Sequence, residues 1–373
     1  MADRRVAVAM SGGVDSSTAA LILKDAGWDP IGFSMQLWDF RPNTSGATEK
    51  QAGACCSPDD FHDARAIASR LNFPYYVVDF REEFENKIVR PFIREYMNGF
   101  TPSPCVFCNS RMKFDHLVHM AEDVGAAYVA TGHYARIVTD ENSGRRLLLR
   151  AKYREKDQAY FLFELNQDQL AKAIFPLGEK TKEEVRDIAR RHGLPVADKS
   201  ESQEICFIPD GDYAAFIERH YSSFFGSART PNPFVPGPIV DTEGRILGSH
   251  DGVHRFTVGQ RRGLGIAHSS PLYVLEIDPA ANRIVVGERS ELNKKRCRIV
   301  KPNWISISEL IEPLKVQAKI RSRHPEADAE IIPLDDGSVE VLFEDPQPAV
   351  CPGQACVFYQ DDVVVGGGWI ARE

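Results

Sequence analysis

The chain has 373 residues, 43% hydrophobic and 26% charged, with a formal net charge of −8. That length allows two or three cored domains, and the composition excludes fibrous and disordered classes. No apolar run is long enough for a membrane span, Met1-Ala2-Asp3-Arg4-Arg5 runs straight into a strand with no room for a secretory signal, and the acidic balance argues mildly against a nucleic-acid partner. A cytoplasmic protein is expected, whose eight cysteines form no structural disulfide framework.

In chain order, strands are expected at Val6–Met10, Ile31–Leu37, Tyr75–Phe80 and Ala127–Thr131. Helices are expected between them at Ser16–Ala26, Pro58–Leu71, Glu82–Tyr96 and Lys113–Val124. Ser57-Pro58-Asp59-Asp60 has the N-cap, proline and acids of a helix start. Such alternation predicts an α/β doubly wound parallel sheet, with ligands at the carboxyl ends of the strands. Arg136–Ala151 reads as a hairpin, and Lys182–His192 as a helix stopped by Gly193 and Pro195. Past Phe207 the texture changes. A short helix, Tyr213–Tyr221, precedes a Pro/Gly-rich stretch. Short strands follow at 239–240, 256–258, 272–277 and 283–287, and a β-rich segment runs from Cys297 with turn signals at Asp335-Asp336-Gly337 and Gly366-Gly367-Gly368. We therefore expect a catalytic domain over 1–208 and two small β-rich domains over 209–288 and 289–373, the last barrel-like.

Ser11-Gly12-Gly13-Val14-Asp15-Ser16 joins the first strand to the first helix. Backbone N–H groups and the helix dipole make such a turn an anion site. Gly12 and Gly13 admit backbone conformations that a Cβ blocks. Asp15 is suited to bracing the turn or to placing magnesium. No lysine follows the glycines, so this is not a P-loop.

Thr101-Pro102-Ser103-Pro104-Cys105-Val106-Phe107-Cys108-Asn109 sets a Cys-x-x-Cys in a proline-stiffened loop before a helix, where a thiol's pKa is lowered. Cys206 stands far downstream in Glu204-Ile205-Cys206-Phe207-Ile208. Three readings remain open from the residues themselves: a zinc site with a ligand missing, a dithiol redox pair, and a nucleophile working with a distant sulfur carrier. Cys297, Cys351 and Cys356 read as small core residues. Cys55-Cys56 lies in a loop, Arg41–Ser57, long enough for a lid, and reads equally as a solvent-exposed pair with no role. Basic clusters occur at Arg145-Arg146, Lys294-Lys295-Arg296 and Lys319, Arg321, Arg323. The alternate spacing of the last three places them on one side of a strand.

The turn Ser11–Ser16 resembles the pyrophosphate loop of the ATP pyrophosphatases, with their adenine nucleotide α-hydrolase-like fold. The resemblance extends through Thr101–Asn109, Ala130–Ala135, Lys156–Phe161, Glu204–Ile208, Thr257–Gly265 and Gly353-Gln354, in the order seen in the bacterial tRNA 2-thiouridylases. It implies ATP-dependent thiolation of the wobble uridine of tRNAs of the Lys, Glu and Gln type. Ala9, Met10, Ser11, Gly12, Gly13, Val14, Asp15, Ser16, Met35 and Gly132 match ATP-binding positions. Cys108 matches the nucleophile and Cys206 the persulfide carrier. Ser103, Pro104 and Cys105 match the segment that meets the target base. His133, Lys156, Asp157, Gln158, Arg321, Ser322 and Gln354 match tRNA contacts. ATP and Mg2+ are the implied cofactors. The implied partners are the tRNA anticodon arm and a sulfur-donor persulfide protein or cysteine desulfurase, with the enzyme a monomer and no membrane involved. Many relatives carry aspartate where Cys105 stands. That difference opens a variant in which Cys105, Cys108 and Cys206 hold a [4Fe–4S] cluster. A small-molecule synthetase of the same superfamily is the alternative function, and a non-catalytic tRNA- or ATP-binding module a further one.

Overall fold

The computed structural model describes residues 4–38, 57–200, 205–226 and 233–372. The chain divides into two compact units. One holds the chain up to Ile88, Cys105–Gly211 and Asp362–Val364; the other holds Val89–Pro104, Asp212–Asp361 and the residues from Val365. The loop with Cys55 and Cys56 lies outside the described residues.

In the first unit β1 (Arg5–Ala9) has a fully buried centre, as expected of an apolar run covered on both faces. It leads through the glycine turn into α1 (Val14–Asp25). β2 (Asp29–Gln36) pairs in parallel with β1. α2 (Pro58–Arg70) begins with a reciprocal cap between Ser57 and Asp60, and β3 (Tyr75–Asp79) and β4 (Tyr128–Ala130) join the same sheet. β5 (Ala135–Thr139) and β6 (Arg146–Arg150) form the expected hairpin. β7 (Ala173–Ile174) completes the order β3-β2-β1-β4-β7. This two-residue strand is too short to leave an alternation in the sequence.

Two expected helices differ. Glu82–Tyr96 is a helix Arg81–Phe84, a π turn Glu85–Val89 and a helix Arg90–Met97. The helix expected from Lys113 starts at Pro104. Pro104–Cys108 is helical, Asn109–Phe114 is a π turn, and Asp115–Asp123 follows. The Cys-x-x-Cys is therefore inside the first helical turns, not in a preceding loop. Proline is at home in a first turn, where its missing N–H has no partner to lose.

In the second unit the helix after the change of texture is longer than expected, Tyr213–Phe225. β8 (Gly237–Val240), β9 (Ile246–His250), β10 (Tyr273–Asp278) and β11 (Arg283–Gly287) form a mixed sheet in which β8 and β11 run parallel. Residues 256–258 are not a strand. The Thr257 N–H donates to the Gln260 side chain (3.0 Å), which closes a local turn and removes it from any ladder.

β12 (Asn293–Trp304), β13 (Leu314–Lys319), β14 (Ala327–Pro333), β15 (Val339–Pro348), β16 (Ala355–Gln360) and β17 (Val363–Ile370) form a six-stranded antiparallel barrel. Pairing of β12 with β17 closes it. Gly366–Gly368 is not a turn but the buried middle of β17. A Cβ on Gly366 would lie 2.4 Å from the Asn303 carbonyl oxygen, and one on Gly368 would lie 2.6 Å from Ile299. Glycine is needed there for close approach at the seam, not for chain reversal. Ile299, Val341, Phe343, Phe358 and Val365 fill the barrel.

Candidate active site

The Met10–Gly13 turn is fixed from several sides. The Met10 N–H donates to the Phe33 carbonyl (2.8 Å), and the Met10 carbonyl accepts from the Ser34 hydroxyl. Gly12 has φ +67°, and a Cβ there would sit 2.3 Å from the Asp60 carbonyl oxygen. Only glycine fits that turn. Ser16 Oγ accepts from the Ser11 N–H (3.1 Å), and Ser17 Oγ donates to the Gly13 carbonyl (2.8 Å). Gly13 caps α1 without a side chain, so the first N–H groups of α1 are the unsatisfied donors that an anion would take. Gly132 lies against the same helix start. A Cβ on it would be 2.7 Å from the Ser16 nitrogen. Met35 is buried in β2.

Two lysines that the sequence reading did not single out complete this arrangement. Lys182 Nζ donates to both oxygens of Asp15 (2.8 and 2.8 Å), and the Tyr134 hydroxyl donates to Asp15 Oδ1 (2.8 Å). Lys182 is only 8% exposed. Asp15 is thus a brace for the turn. Both of its oxygens are engaged, Oδ1 by Lys182 and Tyr134 and Oδ2 by Lys182. Lys199 Nζ bonds the Gly12 carbonyl (3.1 Å), Asp60 Oδ1 (2.7 Å) and Asp63 Oδ2 (2.6 Å). Burial works against the Lys199 charge, but the two carboxylates outweigh it and hold the ammonium above the usual lysine range. Neither lysine belongs to a short motif around the glycines, so no local pattern marked them.

The loop after β4 forms the next wall. Thr131 Oγ1 bonds His133 Nδ1 (2.8 Å), and the His133 and Phe114 rings stack with centroids 6.3 Å apart. Gln158 clasps the loop, accepting from the Tyr134 N–H (2.9 Å) and donating its own N–H to the Tyr134 carbonyl (2.9 Å). Asp157 accepts from the N–H groups of Ala151 and Ala159 (2.9 and 3.2 Å). Both side chains are thus bonded within the fold. Burial, with the Lys113 ammonium adding to it, pushes the His133 imidazole from 6.5 down to about 3. A neutral His133 therefore contributes stability in full above its unfolded value, and that contribution is lost as pH falls from there toward the folded value. His133→Asn is expected to flatten the acid limb of the stability curve by about 1–2 kcal/mol between pH ~6.5 and pH ~5, read from urea midpoints against pH.

Behind Cys108, Asn109 Nδ2 donates to the Phe161 carbonyl (3.1 Å) and Lys113 Nζ to Asn109 Oδ1 (3.2 Å). Glu164 accepts from the Ser110 hydroxyl (2.6 Å) and from Arg111 (3.2 Å). These bonds hold the π turn, a device often found at functional sites. Cys108 is buried, Cys206 half-buried and Cys105 exposed. Phe207 packs between Trp38 (centroids 6.3 Å) and Phe84 (5.6 Å). Trp38 follows β2, so the Cys206 segment shares the carboxyl edge of the sheet with the Met10–Gly13 turn and the Thr131–Tyr134 loop. Among the described residues no three His, Cys, Asp or Glu side chains are grouped to hold a metal ion.

The expected tRNA contacts of the second unit separate. Gln354 Nε2 donates to the carbonyls of Thr101 (2.9 Å) and Pro102 (3.4 Å), and the Thr101 N–H donates to the Pro352 carbonyl (2.9 Å). The barrel end thereby grips the segment leading to Ser103 and Pro104. Lys319, Arg321 and Arg323 do not share a strand face. β13 ends at Lys319, and Arg321–His324 is a turn in which the His324 N–H donates to the Arg321 carbonyl (3.1 Å).

A parallel sheet that presents a Ser-Gly-Gly-Val-Asp-Ser turn at a helix start, with a second glycine turn laid against it, is that of an ATP-binding HUP domain. The description "tRNA methyl transferase HUP domain" fits residues 4–210, "tRNA methyl transferase PRC-barrel domain" fits 229–288 and "Aminomethyltransferase beta-barrel domain" fits 294–370. The tRNA-specific 2-thiouridylase MnmA of Koribacter versatilis is 49% identical over 367 residues, 98% of each chain. Its counterpart in Solibacter usitatus is 50% identical over 374 residues, 99% of this chain and 100% of that one. That of Acidobacterium capsulatum is 50% identical over 371 residues, 98% of each. The chain belongs to the tRNA-specific 2-thiouridylases, a family of sulfurtransferases.

Proposed function

We propose that this enzyme uses ATP to replace the 2-oxygen of the wobble uridine of tRNAs of the Lys, Glu and Gln type with sulfur. What carries the reading is the full-length match to thiouridylases, at 49–50% identity, together with a glycine turn, a Thr-Gly-His loop and a cysteine-bearing segment on one sheet edge. A uracil carbonyl oxygen is a poor leaving group. Transfer of AMP to it, with release of pyrophosphate, turns it into a phosphate leaving group. The terminal sulfur of a Cys206 persulfide then bonds to C2, and AMP departs with the oxygen. The Cys108 thiolate attacks the inner sulfur of Cys206, which frees the thiocarbonyl and leaves a Cys108–Cys206 disulfide. A dithiol reductant restores both thiols. In a second route the Cys108 attack precedes transfer and releases sulfide as the nucleophile.

Residues 9–16, Met35 and Gly132 form the ATP site of this proposal, with magnesium carried on the ATP phosphates. Ser103, Pro104 and Cys105 meet the base, which leaves its stack in a single-stranded loop at small cost. His133, Lys156, Asp157, Gln158, Arg321, Ser322 and Gln354 contact the anticodon arm. The division into 1–208, 209–288 and 289–373 assigns chemistry to the first part and tRNA grip to the last. The sulfur comes from a persulfide protein or cysteine desulfurase, and the enzyme works as a cytoplasmic monomer. Pyrophosphate release from ATP is expected to require unmodified tRNA with a wobble uridine. Equal release without tRNA would point instead to a small-molecule synthetase, and no release with tRNA and ATP both bound would point to a binding module.

A further inference from the structure

Phe107 and Arg111 make a surface feature that the chemistry above does not use. Both belong to the helical stretch that carries Cys105 and Cys108. Phe107 immediately precedes Cys108. Arg111, four residues on, folds back over the Phe107 ring, with its guanidinium carbon 4.0 Å from the ring centroid. That is a close cation–π contact. One edge of the guanidinium is fixed as well. Arg111 donates to Glu164 Oε1 (3.2 Å), and Glu164 Oε2 accepts from the Ser110 hydroxyl (2.6 Å), which also reaches the Val106 carbonyl (3.2 Å). Glu164 is only 15% exposed, so the frame is held, whereas the Arg111 side chain is 53% exposed. A guanidinium with one face on a ring and one edge on a carboxylate turns its other face to solvent.

We propose that the outer face of Arg111 is a stacking platform for a base of the anticodon loop next to the wobble uridine. The inference rests on the proposed function, in which that uridine is brought to Cys105 and Cys108. Moving one base out of its stack deprives its neighbour of a stacking partner. A flat cation beside the cysteines replaces what is lost, since guanidinium planes and aromatic rings both take unstacked RNA bases. A phosphate is the poorer occupant. Glu164 already balances the Arg111 charge, so a phosphate has to compete with that carboxylate, whereas a stacked base leaves the pair intact. The platform needs arginine, because a lysine ammonium carries the charge without the plane.

The test is the affinity of the enzyme for unmodified tRNA with a wobble uridine, read by fluorescence anisotropy, with the tRNA intact or carrying an abasic nucleotide on either side of that uridine. For the wild-type enzyme one of the two abasic tRNAs is expected to bind about tenfold more weakly than the intact one. Arg111→Lys is expected to lose about tenfold on the intact tRNA, to lose nothing further on that abasic tRNA, and to keep the wild-type salt dependence. Arg111→Lys binding as tightly as the wild type overturns the proposal, as does an abasic loss of equal size in wild type and variant. Full binding by Arg111→Lys, with a salt slope lower by about one in Arg111→Met, would assign a phosphate contact instead. If Arg111→Lys does not fold by circular dichroism, the wild-type enzyme decides alone, since equal affinity for the intact and both abasic tRNAs overturns the platform. A wild-type enzyme that binds no intact tRNA overturns the tRNA reading, and the platform with it.

Discussion

Cys206→Ser and Cys108→Ser are each expected to lower 2-thiouridine formation by about 10^3-fold or more while leaving ATP binding unchanged. A serine hydroxyl cannot carry a persulfide sulfur, and at position 108 it cannot attack one, so each change removes a bond-forming atom. Neither change touches the glycine turn, whose contacts come from Ser34, Asp60, Gly132, Lys182 and Lys199. Nucleoside mass spectrometry of tRNA, paired with a binding titration of an ATP analogue, separates the two effects. The variants should also differ in what they accumulate. Cys108→Ser should hold persulfide on Cys206 when given a sulfur donor, whereas Cys206→Ser should hold none on Cys108. Normal thiolation by either variant would remove the two-thiol mechanism.

Lys182→Met is expected to destabilise the first unit and weaken ATP binding together. Lys182 is buried and donates to both Asp15 oxygens, so its loss leaves a carboxylate beside the first N–H groups of α1. A broken buried pair costs about 3–5 kcal/mol, and because Asp15 is 32% exposed the lower part of that range, or somewhat below it, applies. The residual Asp15 charge also repels the phosphates that the turn attracts. Asp15→Asn in the Lys182→Met background should restore part of both quantities, because it removes the unpaired charge. Urea midpoints and the ATP-analogue Kd of the two variants measure this. An Asp15→Asn addition that makes matters worse would mean that Asp15 acts on the nucleotide directly.

The sheet was legible because its strands obey local rules. Val6, Val8 and the residues around them are apolar at consecutive positions, and glycine follows at once. β7 was not legible, since two residues held by β4 leave no period to read. Gly366–Gly368 misled for a physical reason. Glycine marks both chain reversal and close approach, and only the partner strand β12 decides which applies. Lys319, Arg321 and Arg323 have strand spacing, but the strand ends at the first of them. At the site, the glycine turn and the Cys-x-x-Cys are contiguous motifs and were visible. The charges that hold the turn were not. Asp60, Lys182 and Lys199 reach it from separate helices and loops, and single-sequence spacing carries no trace of such distant partners.

The central claim is that one sulfur atom passes from Cys206 to an ATP-activated uridine and leaves the two thiols joined. The direct measurement loads the enzyme with labelled persulfide, removes the donor, and adds ATP and unmodified tRNA without reductant. One labelled sulfur per enzyme should enter tRNA only when ATP is present, with a Cys108–Cys206 disulfide appearing in the same proportion. Label entering tRNA without ATP, or with both thiols alkylatable afterwards and no sulfide released, would contradict the account.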